Sequence, residues 1–547
     1  MRRIVLHLWL ILSLLTALIA GRMLLTSQHF YTHDDMQVFR VNEYVQCLRD
    51  GQIPCRWSAN LGKGYGYPLF NFYPPVIYLI PSLLHLVGLP IITSLNLFMF
   101  ASFLLAGWGM YLLGKALTHD SRLGFLASIL YTLYPFHAIN VFIRGVYAEN
   151  LAWSLLPLIF YLIYQQSRHN RLSRTLPFVL AIVYLTHLIG AIIVTGLVII
   201  WALYHQNLRR VLGQILLSLG LASFFLIPAL VEKSLVQTES MISGYFAFTN
   251  HYVSSYQLFA QYKWSYDASL WSAAPDEMPY MVGHVHTALL MITGFILLFA
   301  LFRNRSLWVR NSKQLLLALG LLLAAVFLLF LSHFKADFLW QVLPPLAYVQ
   351  FPWRFIAWAA LPLILAIVIA LSLLPKKLSY MLTLLTSLIL LFYSLPFFYP
   401  RAYDTLTDQD ILVGRERIEQ QTKSLYDYLP KSIKSLPPEI PIYPSSSTRT
   451  SFSYQDTLTL DRPSSVSFPI FYYPGWVAQV NGTQITLPSP PDSGLITLDL
   501  PEGKSEILLR FDNTPLRLFA NYLSLFSLAL ASLYVILNTY GKKPQTA

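Results

Sequence analysis

The stretch PPVIYLIPSLLHLVGL, residues 74–89, decides how many times this chain crosses a membrane. It is apolar enough to suggest a crossing, but a helix needs about 20 residues to traverse a hydrocarbon core of ~30 Å. Pro74-Pro75 and Pro90 close it off at 16 residues. A segment bounded in this way reads as an interfacial helix that lies in or dips into one face of the membrane.

Longer apolar runs surround it, at about 4–25, 91–116, 123–140, 150–166, 175–188, 190–205, 211–231, 284–302, 314–332, 353–374, 379–398 and 517–537. The pair at 175–205 is short and hinged at His187-Leu188-Ile189-Gly190, which suits a shallow hairpin. With the amino terminus in the cytoplasm, about twelve crossings bring every basic cluster inside. These are Arg2-Arg3, Lys115/Arg122, Arg168/Arg171/Arg174, Arg209-Arg210, Arg303/Arg305/Arg310/Lys313, Lys376-Lys377 and Lys542-Lys543. That is the positive-inside bias of a multi-pass protein with both termini cytoplasmic. A crossing at 74–89 would send every later cluster outside. The first run, after Met1-Arg2-Arg3, is long for a signal peptide and reads as an uncleaved helix.

Composition agrees. Hydrophobic residues make up 55% of the 547 and charged residues 12%, with mean hydropathy +0.53. Globular chains run near ~25% charged, so this chain lacks the polar side chains to cover a water-facing surface. The net charge of +12 sits in the cytoplasmic connectors and makes no basic face for nucleic acid.

Four stretches then face outward: 26–90, 141–149, 232–283 and 399–516. The last reads as helical over 405–436. Alternating segments follow (SFSYQDTLTL, SVSFPIFYYPGWVAQV, GLITLDL, SEILLRF), with Asn481-Gly482 and Pro501-Glu502-Gly503 placed for hairpin turns. The expected fold is mainly α: a transmembrane domain over 1–398 and an extracytoplasmic domain over 399–516. Within the latter, a β-sandwich spans about 440–515, and residues 517–547 form the last crossing and a cytoplasmic tail.

The chemistry-bearing residues cluster outside. Thr32-His33-Asp34-Asp35 follows directly on the first helix. A carboxylate there suits a general base toward a hydroxyl, or a ligand for a divalent cation such as magnesium or manganese. The plainer reading is a cap for a helix over about 36–50. Gly62-Lys63-Gly64-Tyr65-Gly66-Tyr67-Pro68 and Phe70-Asn71-Phe72-Tyr73-Pro74-Pro75 combine tight turns with aromatics, as for an aromatic belt or a stacked sugar ring. Arg144 and Glu149, in the turn between two crossings, form either a phosphate site or a structural ion pair. Arg354, bracketed by aromatics in Gln350-Phe351-Pro352-Trp353-Arg354-Phe355, sits at the depth of a lipid phosphate or snorkels to the headgroups. Lys263 is a weaker second cation. His284 and His286 read as helix-start polar residues more readily than as metal ligands. Cys47 and Cys55 could pair in an oxidising space or stay as free thiols.

An acidic motif after the first helix, a multi-helix body and a carboxy-terminal outer domain resemble the GT-C superfamily of polyprenyl-phosphate-sugar-dependent glycosyltransferases. More closely, His33-Asp34, Gly66-Tyr67 with Phe72-Tyr73-Pro74-Pro75, and Arg144-Gly145 with Glu149 resemble the bacterial membrane proteins labelled 6-pyruvoyl-tetrahydropterin synthase-related. Phe471-Tyr472-Tyr473-Pro474-Gly475-Trp476 with Val480-Asn481-Gly482 resembles the carboxy-terminal domain of YfhO-like membrane glycosyltransferases. The chain departs from the pattern with Val146-Tyr147-Ala148 before Glu149, where Ala-Leu-Gly is usual, and with Arg40 in place of a His.

The resemblance implies sugar transfer from a polyprenyl-phosphate carrier to an envelope glycan or polymer outside the bacterial cytoplasmic membrane. It implies Asp34 as the catalytic carboxylate, Asp35 as its runner-up, and Glu149 as partner. His33, Arg144, Arg354, Tyr67, Tyr73 and Lys263 are the candidate substrate and phosphate contacts. The rival readings are a lipid-linked oligosaccharide transporter, which predicts charges at mid-membrane, and an inactive envelope scaffold.

Overall fold

The computed structural model describes residues 2–267, 269, 278–302, 305–423 and 426–540; Arg303 and Lys542-Lys543 lie outside them. The chain is mainly helical with a β-rich carboxy-terminal region. Among the described residues, six helices are long and apolar enough to cross a membrane: Ile91–Thr118, His284–Phe302, Asn311–Ser332, Arg354–Ser372, Lys376–Phe397 and Pro515–Leu537. Two bent pairs raise the number to eight if each makes one span. Ser121–Thr132 with Pro135–Arg144 bends by 46°, and Leu208–Leu221 with Ser223–Leu235 by 77°. The other runs form shorter helices, such as Leu188–Tyr204, or polar-ended ones such as Tyr147–His169. The helix Val76–Leu86 is only 11 residues, about 16 Å long, well short of a crossing.

One break positions the site. Proline has no N–H and cannot continue a helix, so Pro135 ends the Ser121–Thr132 segment and starts a new one. The chain then winds as a π-helix over Ile139–Arg144, an expanded turn that recurs at functional sites. Gly145, at φ +68°, closes it in the left-handed region. Arg354–Ser372 is apolar on all sides and almost wholly buried, the central post of the bundle.

Among the described residues the carboxy-terminal region holds seven strands: β1 (Thr448–Arg449), β2 (Ser453–Leu460), β3 (Ser464–Phe471), β4 (Trp476–Val480), β5 (Thr483–Ile485), β6 (Leu495–Leu500) and β7 (Gly503–Phe511). They form a five-stranded antiparallel sheet in the order β1-β2-β7-β4-β5 and a two-stranded sheet of β3 and β6. Tyr454, Ala478, Ile507 and Leu509 of the first share one apolar cluster with Phe468, Ile470, Ile496 and Leu498 of the second.

Asn481 and Gly482, both at positive φ, turn β4 into β5 with Val480 opposite Thr483, the backbone of a two-residue hairpin. Pro501-Glu502-Gly503 does not make a hairpin. It carries the chain from β6 in one sheet to β7 in the other. Nor is 405–436 helical throughout. Among its described residues helices cover only Asp408–Leu412 and Gly414–Thr422, and the proline-rich stretch around Pro430 and Pro437-Pro438 cannot continue them.

Two devices dock this domain on the helices. The Gly62–Gly66 turn, with positive φ at Gly62, Lys63, Gly64 and Gly66, hands the Lys63 ammonium to the Pro437 carbonyl at 2.8 Å. Tyr65 packs on Phe471, and Phe72 stacks on Tyr428. These aromatics therefore meet the carboxy-terminal domain. The second device is a buried polar knot. Arg517 donates to both oxygens of Glu232 at 2.9–3.2 Å, and Glu232 also receives Asn71 at 2.6 Å and the Tyr473 hydroxyl at 3.0 Å. Cys47 and Cys55 form a disulfide, eight residues apart, at the end of the Gln37–Arg49 helix.

Candidate functional site

Residues 29–35 have no regular structure of their own and borrow it from the π-helix. The His33 N–H bonds to the Ile143 carbonyl and the Asp34 N–H to the Arg144 carbonyl, each at 2.9 Å. This pairing needs the space that Gly145 leaves, since a Cβ there would overlap the Thr32 side chain. Gly145→Ala is expected to destabilise the protein by about 1–3 kcal/mol through a strained positive φ and that overlap. The check is thermal unfolding against Gly51→Ala, a second positive-φ glycine whose Cβ would meet nothing.

Below the loop lies a buried charge group. Glu149 Oε2 accepts from Arg144 Nη2 at 3.0 Å and from Arg354 Nε at 3.2 Å. Arg144 also donates to Asn140 Oδ1 at 2.6 Å and lies 4.2 Å over the Trp353 ring. Arg354 donates to the Val349 carbonyl at 2.5 Å and to Gln350 Oε1 at 3.0 Å. Glu149 stands in the first turn of Tyr147–His169, where the helix dipole favours an anion. Arg354 opens Arg354–Ser372, where the dipole opposes a cation, so Glu149 is the partner that lets it stay buried. The ion pair joining the two helix ends is therefore real, and it recruits a second arginine. Glu149 Oε1 accepts no hydrogen bond among the described residues.

The two acids of the loop are held differently. Asp35 Oδ1 meets His29 Nε2 at 3.0 Å, and His29 Nδ1 meets Asp404 Oδ2 at 2.7 Å, so Asp35 is tied into a carboxylate–imidazole–carboxylate chain. Burial pulls the His29 imidazole down, but the two carboxylates outweigh it and raise it above its ordinary value. The Asp34 carboxylate accepts no hydrogen bond among the described residues. It is half-buried at a small cavity of about 20 Å³ lined also by His29, Asn96 and Tyr147. Burial pushes its carboxyl up, against the downward pull of Arg144, Arg40 and Arg354. Three separated segments thus bring Asp34, Arg144 with Glu149, and Arg354 into one electrostatic group.

The other candidates scatter. His33 is exposed, its Nε2–H donating to the Tyr266 carbonyl at 3.1 Å. Tyr67 is buried and Tyr73 half-buried. Lys263 is exposed on its loop. His284 meets the Tyr393 hydroxyl while His286 bonds to the Leu130 carbonyl, so the two diverge. Among the described residues no three His, Cys, Asp or Glu side chains converge as metal ligands.

Arg40 is the residue that reading along the chain undervalued. It is 3% exposed, its guanidinium 4.7 Å over the Tyr73 ring and 3.2 Å from the Tyr78 hydroxyl, and it forms no ion pair with a carboxylate among the described residues. It shares the buried face of Gln37–Arg49 with Gln37, Glu43 and Tyr44. His29 and Asp404 left no local signal, being 375 residues apart.

A family model described as 6-pyruvoyl-tetrahydropterin synthase related domain, membrane protein, matches residues 70–400. No curated protein matches the chain. Among solved structures, arabinofuranosyltransferase AftD from Mycobacteria is similar at 17% identity and TM-score 0.44, over 74% of this chain and 27% of that one.

Proposed function

The chain belongs to the 6-pyruvoyl-tetrahydropterin synthase-related family of membrane proteins, and from that premise we propose that it is a membrane glycosyltransferase that uses a polyprenyl-phosphate-linked sugar. The observation that carries this reading is Asp34. It is a carboxylate free of hydrogen bonds among the described residues, its pKa raised by burial, and set among three buried arginines near the start of the first loop. A structural carboxylate in such company would be paired, as Glu149 is. An unpaired one is available to take a proton.

In the proposed reaction the acceptor hydroxyl gives its proton to Asp34 as its oxygen attacks the anomeric carbon. The bond from that carbon to the phosphate oxygen breaks, and the carrier leaves as polyprenyl phosphate. The new negative charge falls to Arg144 and Arg354, whose shared partner Glu149 leaves the group one positive charge in excess. Arg40, a buried cation whose guanidinium meets Tyr73 and Tyr78, adds to that field. A single displacement inverts configuration. In the same proposal the chain makes twelve crossings of a bacterial cytoplasmic membrane with both termini inside, and the two sheets form an outer sandwich that presents the acceptor, a cell-envelope glycan or polymer.

The test is turnover by the full-length protein in proteoliposomes supplied with polyprenyl-phosphate-linked sugars. Release of the carrier phosphate together with sugar on an added glycan is expected. No release from any such donor would overturn the reading. The pH profile supplies a second check. The base must be ionised, so activity falls as pH drops through the Asp34 value. Because burial raises that value, the acid limb of kcat/KM is expected above the ordinary carboxylate range of about 4. A limb at or below that range would assign the base elsewhere.

A further inference from the structure

Beside the acid loop, with no arginine in its lining, lies an open groove of about 390 Å³ between Tyr31 and the helix Gly414–Thr422. Its volume is in the range of small-molecule sites, about 300–1,000 Å³. Residues three and four apart share one helix face, so Glu416, Glu419 and Gln420 turn toward the groove with Lys423, just past the helix end, and Asp35 and Tyr31 face them. Asp35 and Thr32 line both this groove and the small cavity at Asp34, so whatever fills the groove adjoins the proposed base.

Two features point to a ligand. Gln420 is 6% exposed and donates its Nε2–H to the Asp35 carbonyl at 2.7 Å, yet its Oε1 has no partner among the described residues. A buried amide oxygen without a donor is costly, and a sugar hydroxyl supplies one. Tyr31 is 54% exposed and held edge-on against the His29 ring at 5.3 Å, a rigid aromatic face at the mouth. The charges are one-sided. Asp35, Glu416 and Glu419 line the groove against the single cation Lys423, whose ammonium rests on the Asp35 carbonyl at 3.0 Å. Arg415 meets Glu419 at 2.9 Å from the exposed flank, a weak surface pair.

We propose that this groove is the acceptor subsite, and that it takes a hydroxyl-rich glycan that is neutral or amine-bearing and free of phosphate. The proposal rests on the transfer reading above and deepens it. The site has two electrical halves, arginines where a carrier phosphate leaves and carboxylates where the acceptor enters. A phosphodiester polymer would bring like charge against Glu416 and Glu419, whereas hydroxyls and ammonium groups find acceptors there.

Binding without any donor tests it. The full-length protein in nanodiscs is titrated with a chitosan tetramer, its fully N-acetylated counterpart, and an oligo(glycerol phosphate) of similar length. Saturable binding of both glycans and none of the phosphate oligomer is expected. Glu416→Lys combined with Glu419→Lys should weaken the chitosan tetramer at least about tenfold, a change of ~1.4 kcal/mol, and admit the phosphate oligomer. The nearly isosteric Gln420→Leu should weaken the N-acetylated glycan. The proposal is overturned if the phosphate oligomer binds the unmodified protein as tightly as the glycans, if neither glycan binds, or if charge reversal leaves chitosan affinity unchanged. These readings need no turnover. Their failure indicts the groove alone, and absent carrier release indicts the transfer reading alone.

Discussion

Asp34→Asn is expected to lower sugar transfer by about 10²–10⁴-fold, the usual contribution of a positioned general base, while leaving the unfolding temperature unchanged or higher. The second half follows from the sign of the acidity shift. A carboxyl whose value is raised on folding holds its charge less comfortably in the native state than in the unfolded one. That cost is present at pH values above the folded value and is relieved as pH falls through it. A neutral isostere removes it at every pH. Asp35→Asn should behave in the opposite way. It loosens the link to His29 and through it to Asp404, so stability falls more than the chemical step does. The measurement is kcat with saturating lipid-linked donor beside thermal unfolding in the same detergent. Equal losses of stability in both variants would make Asp34 a structural residue and sink the assignment.

The largest effect on stability is expected from Glu232→Ala. Arg517 is wholly buried, and Glu232 is its carboxylate. Removing one member of a buried ion pair costs about 3–5 kcal/mol, because the other charge stays behind without compensation. Here the loss also strands Asn71 and the Tyr473 hydroxyl. Asn71 in turn accepts from Arg56, which reaches Asn513 and Asn521, so the damage spreads along the seam between the helices and the β-rich domain. The expected readout is early proteolysis within 399–516 and a lowered unfolding temperature. Glu232→Leu together with Arg517→Met should recover most of the loss, since apolar replacement of a whole buried pair is often neutral. Failure of the double variant to recover would mean that the hydrogen bonds of Asn71 and Tyr473, rather than the stranded arginine, carry the effect.

What could be read along the chain was whatever repeats or stays local. Apolar run length places the long helices at 91–118, 284–302, 354–372 and 376–397 within a few residues, because one bilayer thickness imposes one length. The Asn481-Gly482 hairpin was legible because its conformation is set by two adjacent residues. Pro501-Glu502-Gly503 shows the limit. The same kind of local signal marks a turn, but which strand the chain joins afterwards depends on partners 50 residues back, since β7 pairs with β2. At the site, Arg144 and Glu149 stand five residues apart and could be paired by eye. That Arg354, 205 residues away, shares the same oxygen could not. Nor could the separation of Asp34 from Asp35 into a free and a tied carboxylate, because the His29 that ties Asp35 is itself fixed by Asp404, far along the chain.

That distance sets a timetable. His29 and Asp404 are separated by 375 residues. At a synthesis rate of 5–20 residues per second the first loop waits on the order of 20–75 s for the segment that completes it. Throughout that interval the loop has its nearby helices but not its anchor, while half a dozen later helices are still being threaded into the lipid. The acid loop is thus the first part of the site to be made and the last to be locked, and any factor that guards nascent membrane proteins has its longest opportunity there.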